Sequence, residues 1–396
     1  MTGEDSIAFI NNTFDSIQKN KIGFIFLDEI HHLYHFITVA IELAKRNEVS
    51  ILTFPGRHEF LFNSLQRLGG SQVKVEQLPT LAFRSFTDKL KKRKLPRKHF
   101  WLQKNRNYLL NDFDALVFTD YFHHYLLKKR KEKAFPKFIK SPHGVAGRAY
   151  SFRKDLLDFD LNLLFGKFYF EQLKAENLLT ENHAIIGYPK LDAVDPKAGF
   201  PAFKNDNPVV VYNPHFSPPF SSWHQMGLEV LEFFYEHENY NLIFAPHVNL
   251  FQKKGGQKAD FIEEKFFKAE NIFIDLGSVE SVNMTYLQRA DIYLGDVSSQ
   301  VYEFLLQPRP CIFFNTEKVD RSNDPYFRFW KCGEVIEEAG QLEPALLNAF
   351  EDFKNREEVQ KEITLANFYT EEGTTPSERA AIAIEEFLQD SRSERS

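Results

Sequence analysis

Short apolar runs rich in Val, Ile and Phe recur along this chain, each followed by a stretch with helical spacing. That alternation restricts the fold more than any other feature. Parallel strands joined by crossover helices produce it, because helices cover both faces of the sheet and each strand is apolar throughout. The strand candidates in the first half are 22–28, 49–54, 115–120, 137–140 and 184–188. Those in the second half are 208–214, 241–246, 271–275, 291–296 and 310–315. Helical spacing is clearest over 35–47, 226–237, 298–307 and 377–388. A polar stretch punctuated by Pro189, Pro196, Pro201 and Pro208 separates the halves. At 396 residues the chain is long for one core, so two α/β units are expected, 1–190 and 191–396, facing one another across a cleft.

Charge is unevenly placed. Between Arg84 and Lys140 there are 17 Lys+Arg and 5 Asp+Glu, a net of +12 in a chain of net −6, which leaves −18 for the rest. Aromatic residues interleave the basic ones, as in KLKKRKLPRKHFWLQKNR. Such a segment is either a solvated helical face or a patch for anionic lipid headgroups or an anionic polymer. The acidic remainder and the lack of a nucleic-acid-binding motif argue against nucleic acid. Two cysteines imply no disulfide framework. No signal peptide and no bilayer-spanning run are visible. The expected location is the cytoplasm, peripherally on the inner face of the cell membrane through residues 84–140. The 42 phenylalanines have no explanation at this level.

Ligands of open parallel sheets bind beyond the carboxyl ends of the strands. The residues there are Asp28-Glu29, Asp120, His143, Asn213, His247, Gly277-Ser278 and Asp296. Two of these ends repeat one shape, an apolar run closed by Pro-His: KFIKSPHGVAGR and NLIFAPHVNL. His143 and His247 are each either a turn histidine with a structural partner or a group that meets a ligand. In ADIYLGDVSSQVYEF a strand ends at Asp296, and Ser298 and Ser299 open a helix. Serines there cap backbone N–H groups, and the same N–H groups form an anion site. His31 and His35 share a helix face in DEIHHLYHF, yet no carboxylate completes a zinc set, so no metal is expected. His123 and His124 remain unassigned. Asp158 and Asp160 mimic a metal-binding pair within a stretch, LLDFDLNLLF, patterned as a packed helix. No Gly-rich phosphate loop occurs, which disfavours nicotinamide enzymes and P-loop NTPases.

These motifs resemble the CDP-glycerol glycerophosphotransferases of teichoic-acid and capsule synthesis, over about residues 137 to 315. SPHGVAGR is similar to the family's His-Gly pair, and IIGYPKLDAV to its Gly-Tyr-Pro-x-x-Asp. VVVYNPHFSPPFSSW resembles its Tyr-Ala-Pro-Thr stretch, FAPHVNL its Lys-x-His-Pro stretch, and ADIYLGDVSSQVYEF its Asp-x-x-x-x-Asp-Tyr-Ser-Ser. His215 stands where the family has threonine, Val297 where it has tyrosine, and the lysine and proline around the second histidine are absent. The hydrolysing UDP-N-acetylglucosamine 2-epimerases look related at PHVN and DVSSQVYE.

The resemblance implies a GT-B fold of two Rossmann-like doubly wound domains, with the acceptor on the first and the nucleotide donor on the second. It implies transfer of an alditol phosphate from a CDP-linked donor to an acceptor hydroxyl of a cell-surface glycan or lipid-linked acceptor. No cofactor or metal is required, since the activated donor is itself a substrate. His143 is the expected base, and His247 the group that meets the departing phosphate. Asn213, His215, Pro246, Gly277, Ser278, Asp296, Ser298 and Ser299 are expected around the donor. Asp296 is expected to orient its neighbours, and His31 and Arg148 are the acceptor-side candidates. The alternative is a nucleotide-sugar glycosyltransferase or 2-epimerase on the same scaffold.

Overall fold

Among the described residues the apolar runs form thirteen strands in two wholly parallel sheets. The computed structural model describes residues 19–27, 30–91, 97–130, 134–145, 151–194, 199–251 and 256–393. Asp28, Glu29 and Arg148 lie outside the described residues. The first sheet contains β1 (Lys21–Ile25), β2 (Glu48–Thr53), β3 (Lys74–Gln77), β4 (Ala115–Phe118), β5 (Lys137–Lys140), β6 (Leu161–Leu164) and β7 (His183–Ile185), in the order β3-β2-β1-β4-β5-β6-β7. The second contains β8 (Val209–Asn213), β9 (Asn241–Phe244), β10 (Ile272–Ile274), β11 (Ile292–Gly295), β12 (Cys311–Phe314) and β13 (Glu334–Ile336), in the order β10-β9-β8-β11-β12-β13. Both sheets therefore wind outward in two directions from a central pair, β1 and β4 in one, β8 and β11 in the other. The crevice beyond such a pair is where doubly wound sheets bind ligands.

Every strand expected from the sequence is present, and three were not foreseen. β3 and β13 are short, charged edge strands. β6 lies in the stretch patterned as a helix: LNLL is buried on both faces and carries no β-branched residue, so periodicity could not separate the two forms. Asp160 belongs to its approach and accepts from Arg130, 2.6 Å away, while Asp158 faces His123 at 3.2 Å.

Three apolar clusters hold the layers together. One covers the outer side of the first sheet and one the outer side of the second. The third is continuous between the halves, running from Ile22 and Phe24 through Tyr188 to Val211 and Phe313. Phenylalanines fill these layers. Phe118 alone meets Phe122, Phe138 and Phe159 at ring separations of 5.2 to 5.9 Å. Such edge-to-face pairs add to the burial of large rings.

By continuity the last helix, Pro376–Ser393, belongs with residues 191–396. In the structure it crosses back to the first half. Its apolar stripe, Ala380, Ala381, Ile384 and Leu388, is fully buried, and the helix packs on helix Ile37–Ala44. Arg392 pairs with Asp114 and Arg46 with Glu385, each at 2.7 Å. Small residues let the two helices approach closely, and this return strap ties the halves into one body.

Candidate active site

The two strand-end crevices face one another, and histidines occupy the space between them. In the first sheet β4 and β5 run in register, with Phe118 beside Lys140. Their following residues therefore leave the sheet together. His143 turns back over Thr119, and its Nδ1–H donates to the Thr119 carbonyl at 2.6 Å. A carbonyl only accepts, so the neutral ring holds its proton on Nδ1 and presents its lone pair on Nε2. The buried Lys140 ammonium donates to the same oxygen at 2.7 Å. Burial and the Lys140 charge pull His143 down to about 4, against the Thr119 carbonyl and Asp120, which act the other way. The ring is thus an unprotonated base at neutral pH.

In the second sheet β8 and β11 close up where Gly295 lies beside Asn213. A Cβ at 295 would sit 2.8 Å from the Asn213 carbonyl oxygen, so glycine permits this approach. The next residue, Asp296, is 1% exposed and accepts the backbone N–H groups of His215 and Ser222, both at 2.8 Å. It pins the loop between β8 and helix Trp223–Glu236. Burial raises Asp296 to about 7, and its Oδ1 has no hydrogen-bond partner among the described residues.

The second Pro-His turn continues the β8–β9 pairing past the strands: the His247 N–H donates to the Pro214 carbonyl at 3.0 Å. The Asn249 N–H then donates to His247 Nδ1 at 3.2 Å, and the Ser217 N–H to His215 Nδ1 at 3.0 Å. Both rings accept at Nδ1, so in the neutral form each carries its proton on Nε2. His143 and His247 are therefore opposite in kind, one a base at Nε2 and the other a donor there.

A row of imidazoles joins them. His143 stacks on His32 with centroids 4.1 Å apart and planes 16° from parallel. His32 meets His31 at 4.5 Å, His31 meets His247 across the cleft at 5.5 Å, and His247 meets His215 at 5.8 Å. His32 is buried, and burial together with the neighbouring histidines holds it well below the usual range, so the row is not a line of cations. Among the described residues no three His, Cys, Asp or Glu side chains are disposed to hold a metal ion.

The remaining candidates divide. Ser299 reaches the cleft: a Cβ built on Gly144 would lie 3.3 Å from Ser299 Oγ. Ser298 is buried and accepts the Gln300 N–H at 3.2 Å, so it serves as a cap. The helix it opens spans only Gln300–Phe304, too short to develop much of a dipole. Asn213 is buried, with its amide donating to the Ala245 carbonyl at 2.6 Å, and Pro246 is buried beside it, so both shape the turn from inside. The Ser278 hydroxyl is held by Asp275 and lies 2.9 Å from Glu280, at the start of a four-residue helix. Gly277 precedes it at φ +138, and a Cβ built there would lie 3.8 Å from Val248 Cγ1.

His35 departs from expectation. The segment Ile30–His35 is a 3₁₀ helix, in which residues four apart do not share a face. His31 joins the row, whereas His35 points inward to within 5.6 Å of Tyr188. Sequence reasoning passed over His32, whose only signal was its place beside His31. It also passed over Lys98, which meets Asp120 at 2.9 Å and holds that carboxyl well below the usual range despite burial, which opposes it. Lys98, Asp120, Arg97, Arg153, Tyr121 and Tyr125 line a cavity of about 550 Å³ beside the His143 turn.

Solved structures of similar shape exist at low sequence identity. Glycyrrhiza uralensis UGT73P12, complexed with glycyrrhetinic acid 3-O-monoglucuronide, superposes with a TM-score of 0.62 at 12% identity, covering 96% of this chain and 97% of that one. The wall teichoic acid polymerase TagF gives 0.58 at 15%, covering 99% and 93%. The UDP-GlcNAc 2-epimerase of Neisseria meningitidis, bound to UDP-GlcNAc, gives 0.53 at 14%, covering 94% and 100%. The fold is GT-B. No family model matches the chain, and no curated protein matches it by sequence.

In this GT-B chain the halves are also latched behind the cleft. Tyr188 and Lys190 of the YPK turn both reach Glu303 of helix Gln300–Phe304, at 2.5 and 2.8 Å. All three side chains are buried, and burial beside Glu303 pushes Tyr188 well up. The latch fixes helix Gln300–Phe304, and with it Ser299, against the half that carries His143.

Proposed function

We propose that this chain transfers an alditol phosphate, of the glycerol phosphate kind, from a CDP-linked donor to a hydroxyl of a cell-surface glycan or lipid-linked acceptor. The observation that carries the reading is the opposed tautomers of His143 and His247 on the two sides of one cleft. An alcohol is a poor nucleophile at neutral pH, and positioned base assistance contributes roughly 10²–10⁴ in rate. The acceptor O–H hydrogen-bonds to His143 Nε2, and its oxygen attacks the phosphorus of the alditol phosphate. The new P–O bond forms as the P–O bond to CMP breaks, and CMP leaves with the electron pair. The acceptor's proton stays on His143, whose imidazolium is steadied by the Thr119 carbonyl and the nearby Asp120 carboxylate. His247 Nε2–H and the Ser299 hydroxyl donate to the phosphate that gains charge as CMP departs. The cavity lined by Lys98, Arg97 and Arg153 gives the acceptor a place next to the base.

Thermal shift with CMP and CDP against UDP and GDP tests the donor. The base is tested by His143→Ala, which is expected to abolish transfer while the nucleotide shift stays; loss of that shift instead would refute the assignment. The second reading, nucleotide-sugar chemistry, is favoured by fold likenesses to UGT73P12 and the epimerase whose TM-scores, 0.62 and 0.53, lie on either side of the 0.58 for TagF. Stabilisation by UDP and not by CMP or CDP would select it.

A further inference from the structure

His143 leans on a second imidazole that the transfer set out above leaves without a role. His32 lies in the 3₁₀ helix Ile30–His35 and is 6% exposed. Its ring covers one face of His143, with centroids 4.1 Å apart and planes 16° from parallel. Both rings hang from one residue. The Thr119 carbonyl accepts from His143 Nδ1 at 2.6 Å, and Thr119 Oγ1 lies 3.4 Å from His32 Nδ1. Thr119 is itself buried and directly follows β4, so a fixed strand end carries the pair. A ring held at one nitrogen and stacked on one face has little freedom to swing. Its Nε2 is kept on the side away from Thr119, where the acceptor hydroxyl arrives.

We propose that His32 is a positioning residue for the base: it holds the His143 ring by stacking and, staying neutral, turns its π face to the imidazolium that forms when His143 takes the acceptor's proton. The inference rests on the reading of His143 as the base. Two cations this close would repel, so the stack accepts one proton. The geometry puts that proton on His143. Charge there strengthens the bond from Nδ1–H to the Thr119 carbonyl. His32 instead has a hydroxyl near Nδ1, is deeply buried, and has His31 4.5 Å away and His35 on the same turn. Burial and these neighbours hold it well below the usual histidine range. A neutral ring attracts a cation lying within about 6 Å of its centroid, and the stack is well inside that distance. The charged groups that act on His143 come from other elements: Lys140 from β5 and Lys98 from helix Lys98–Asn111 oppose an imidazolium, and Asp120, beyond β4, favours it. Rings stacked face to face aim their N–H bonds sideways, so His32 steadies the proton on His143 and does not carry it onward.

His32→Phe and His32→Leu separate the ring from its nitrogens. Both lose the contact with Thr119, and they differ in whether a π face meets His143. Long-range ¹H–¹⁵N spectra of the full chain, recorded without substrate, read the His143 midpoint. In the wild type the stacked ring should move the carbon-bound His143 ring protons upfield by its ring current. His32→Leu should lose that shift and lower the His143 midpoint by about 0.5–1 pH unit, and His32→Phe should restore both. In transfer assays kcat should fall about three- to tenfold in His32→Leu with KM unchanged, and His32→Phe should recover most of the loss. Wild-type spectra without the ring-current shift overturn the proposal and need no variant to fold. So does a His143 midpoint that is the same in the Leu and Phe variants, which is what mere space-filling gives, or titration of His32 ahead of His143. The expected midpoints with no transfer by the wild type would uphold the stack while refuting the transfer reading.

Discussion

Lys140 and His143 share one oxygen, and that geometry makes the lysine a control on the base. Lys140 Nζ lies 2.7 Å and His143 Nδ1 2.6 Å from the Thr119 carbonyl. The two nitrogens are thus at most roughly 5 Å apart, where two unit charges repel by about 3 kcal/mol at an effective dielectric of 20. A tenfold change in proton affinity is about 1.4 kcal/mol, so a repulsion of that size corresponds to about two pH units. Burial is the larger cause and persists without the lysine. Lys140→Met keeps the apolar stem and removes the charge, so the His143 midpoint should rise from about 4 to between about 5 and 6. His143 acts as a base only when unprotonated, so transfer falls as pH drops through that midpoint. The acid limb of kcat/KM should therefore move upward by one to two pH units, roughly, with activity at neutral pH kept or raised as the base strengthens. Ring ¹⁵N shifts in long-range ¹H–¹⁵N spectra read the midpoint directly and show which nitrogen holds the proton. An acid limb that stays in place, or wild-type spectra with the His143 proton on Nε2, would break the reasoning.

Asp296 sets a stability dependence of known sign. Its folded pKa, about 7, lies above the ordinary 3.8, so its contribution is full below the unfolded value and is lost as pH rises through the folded one. Asp296→Asn, which still accepts both N–H groups, should flatten that decline and exceed wild type at about pH 8 by up to about 4 kcal/mol in urea unfolding; a variant less stable there would contradict the burial argument. The latch behind the cleft gives a third test. Lys190→Met alone leaves Glu303 buried without its cation and should cost about 3–5 kcal/mol, whereas Lys190→Met with Glu303→Leu and Tyr188→Phe, which removes the hydroxyl that Glu303 accepts from, should recover most of it in thermal unfolding.

What the sequence makes legible here follows from which forces are local. Parallel strands buried on both faces announce themselves by composition, so all ten expected strands occur. Strand ends then bring His143, His247 and Asp296 to one cleft without knowledge of any contact. The character of those groups is a different matter, because it is set by backbone atoms that no side-chain pattern encodes. His143 is a base because the Thr119 carbonyl lies under it, and His247 a donor because the Asn249 N–H reaches its Nδ1. The same limit applies to the details. A 3₁₀ turn in place of an α-helix sends His35 into the core and brings His32 onto His143, a difference of 3.0 against 3.6 residues per turn that histidines and leucines cannot signal. Asn213 and Ser278 were placed by position alone, and position cannot show that neighbouring groups, the Ala245 carbonyl and Asp275, already hold them. Glu303 and Lys190 lie more than a hundred residues apart, and only the folded chain shows that the YPK turn and the helix after Asp296 form one buried unit. A histidine beyond a proline at a strand end thus identifies where chemistry can occur, and the carbonyl or amide beneath it decides which chemistry that is.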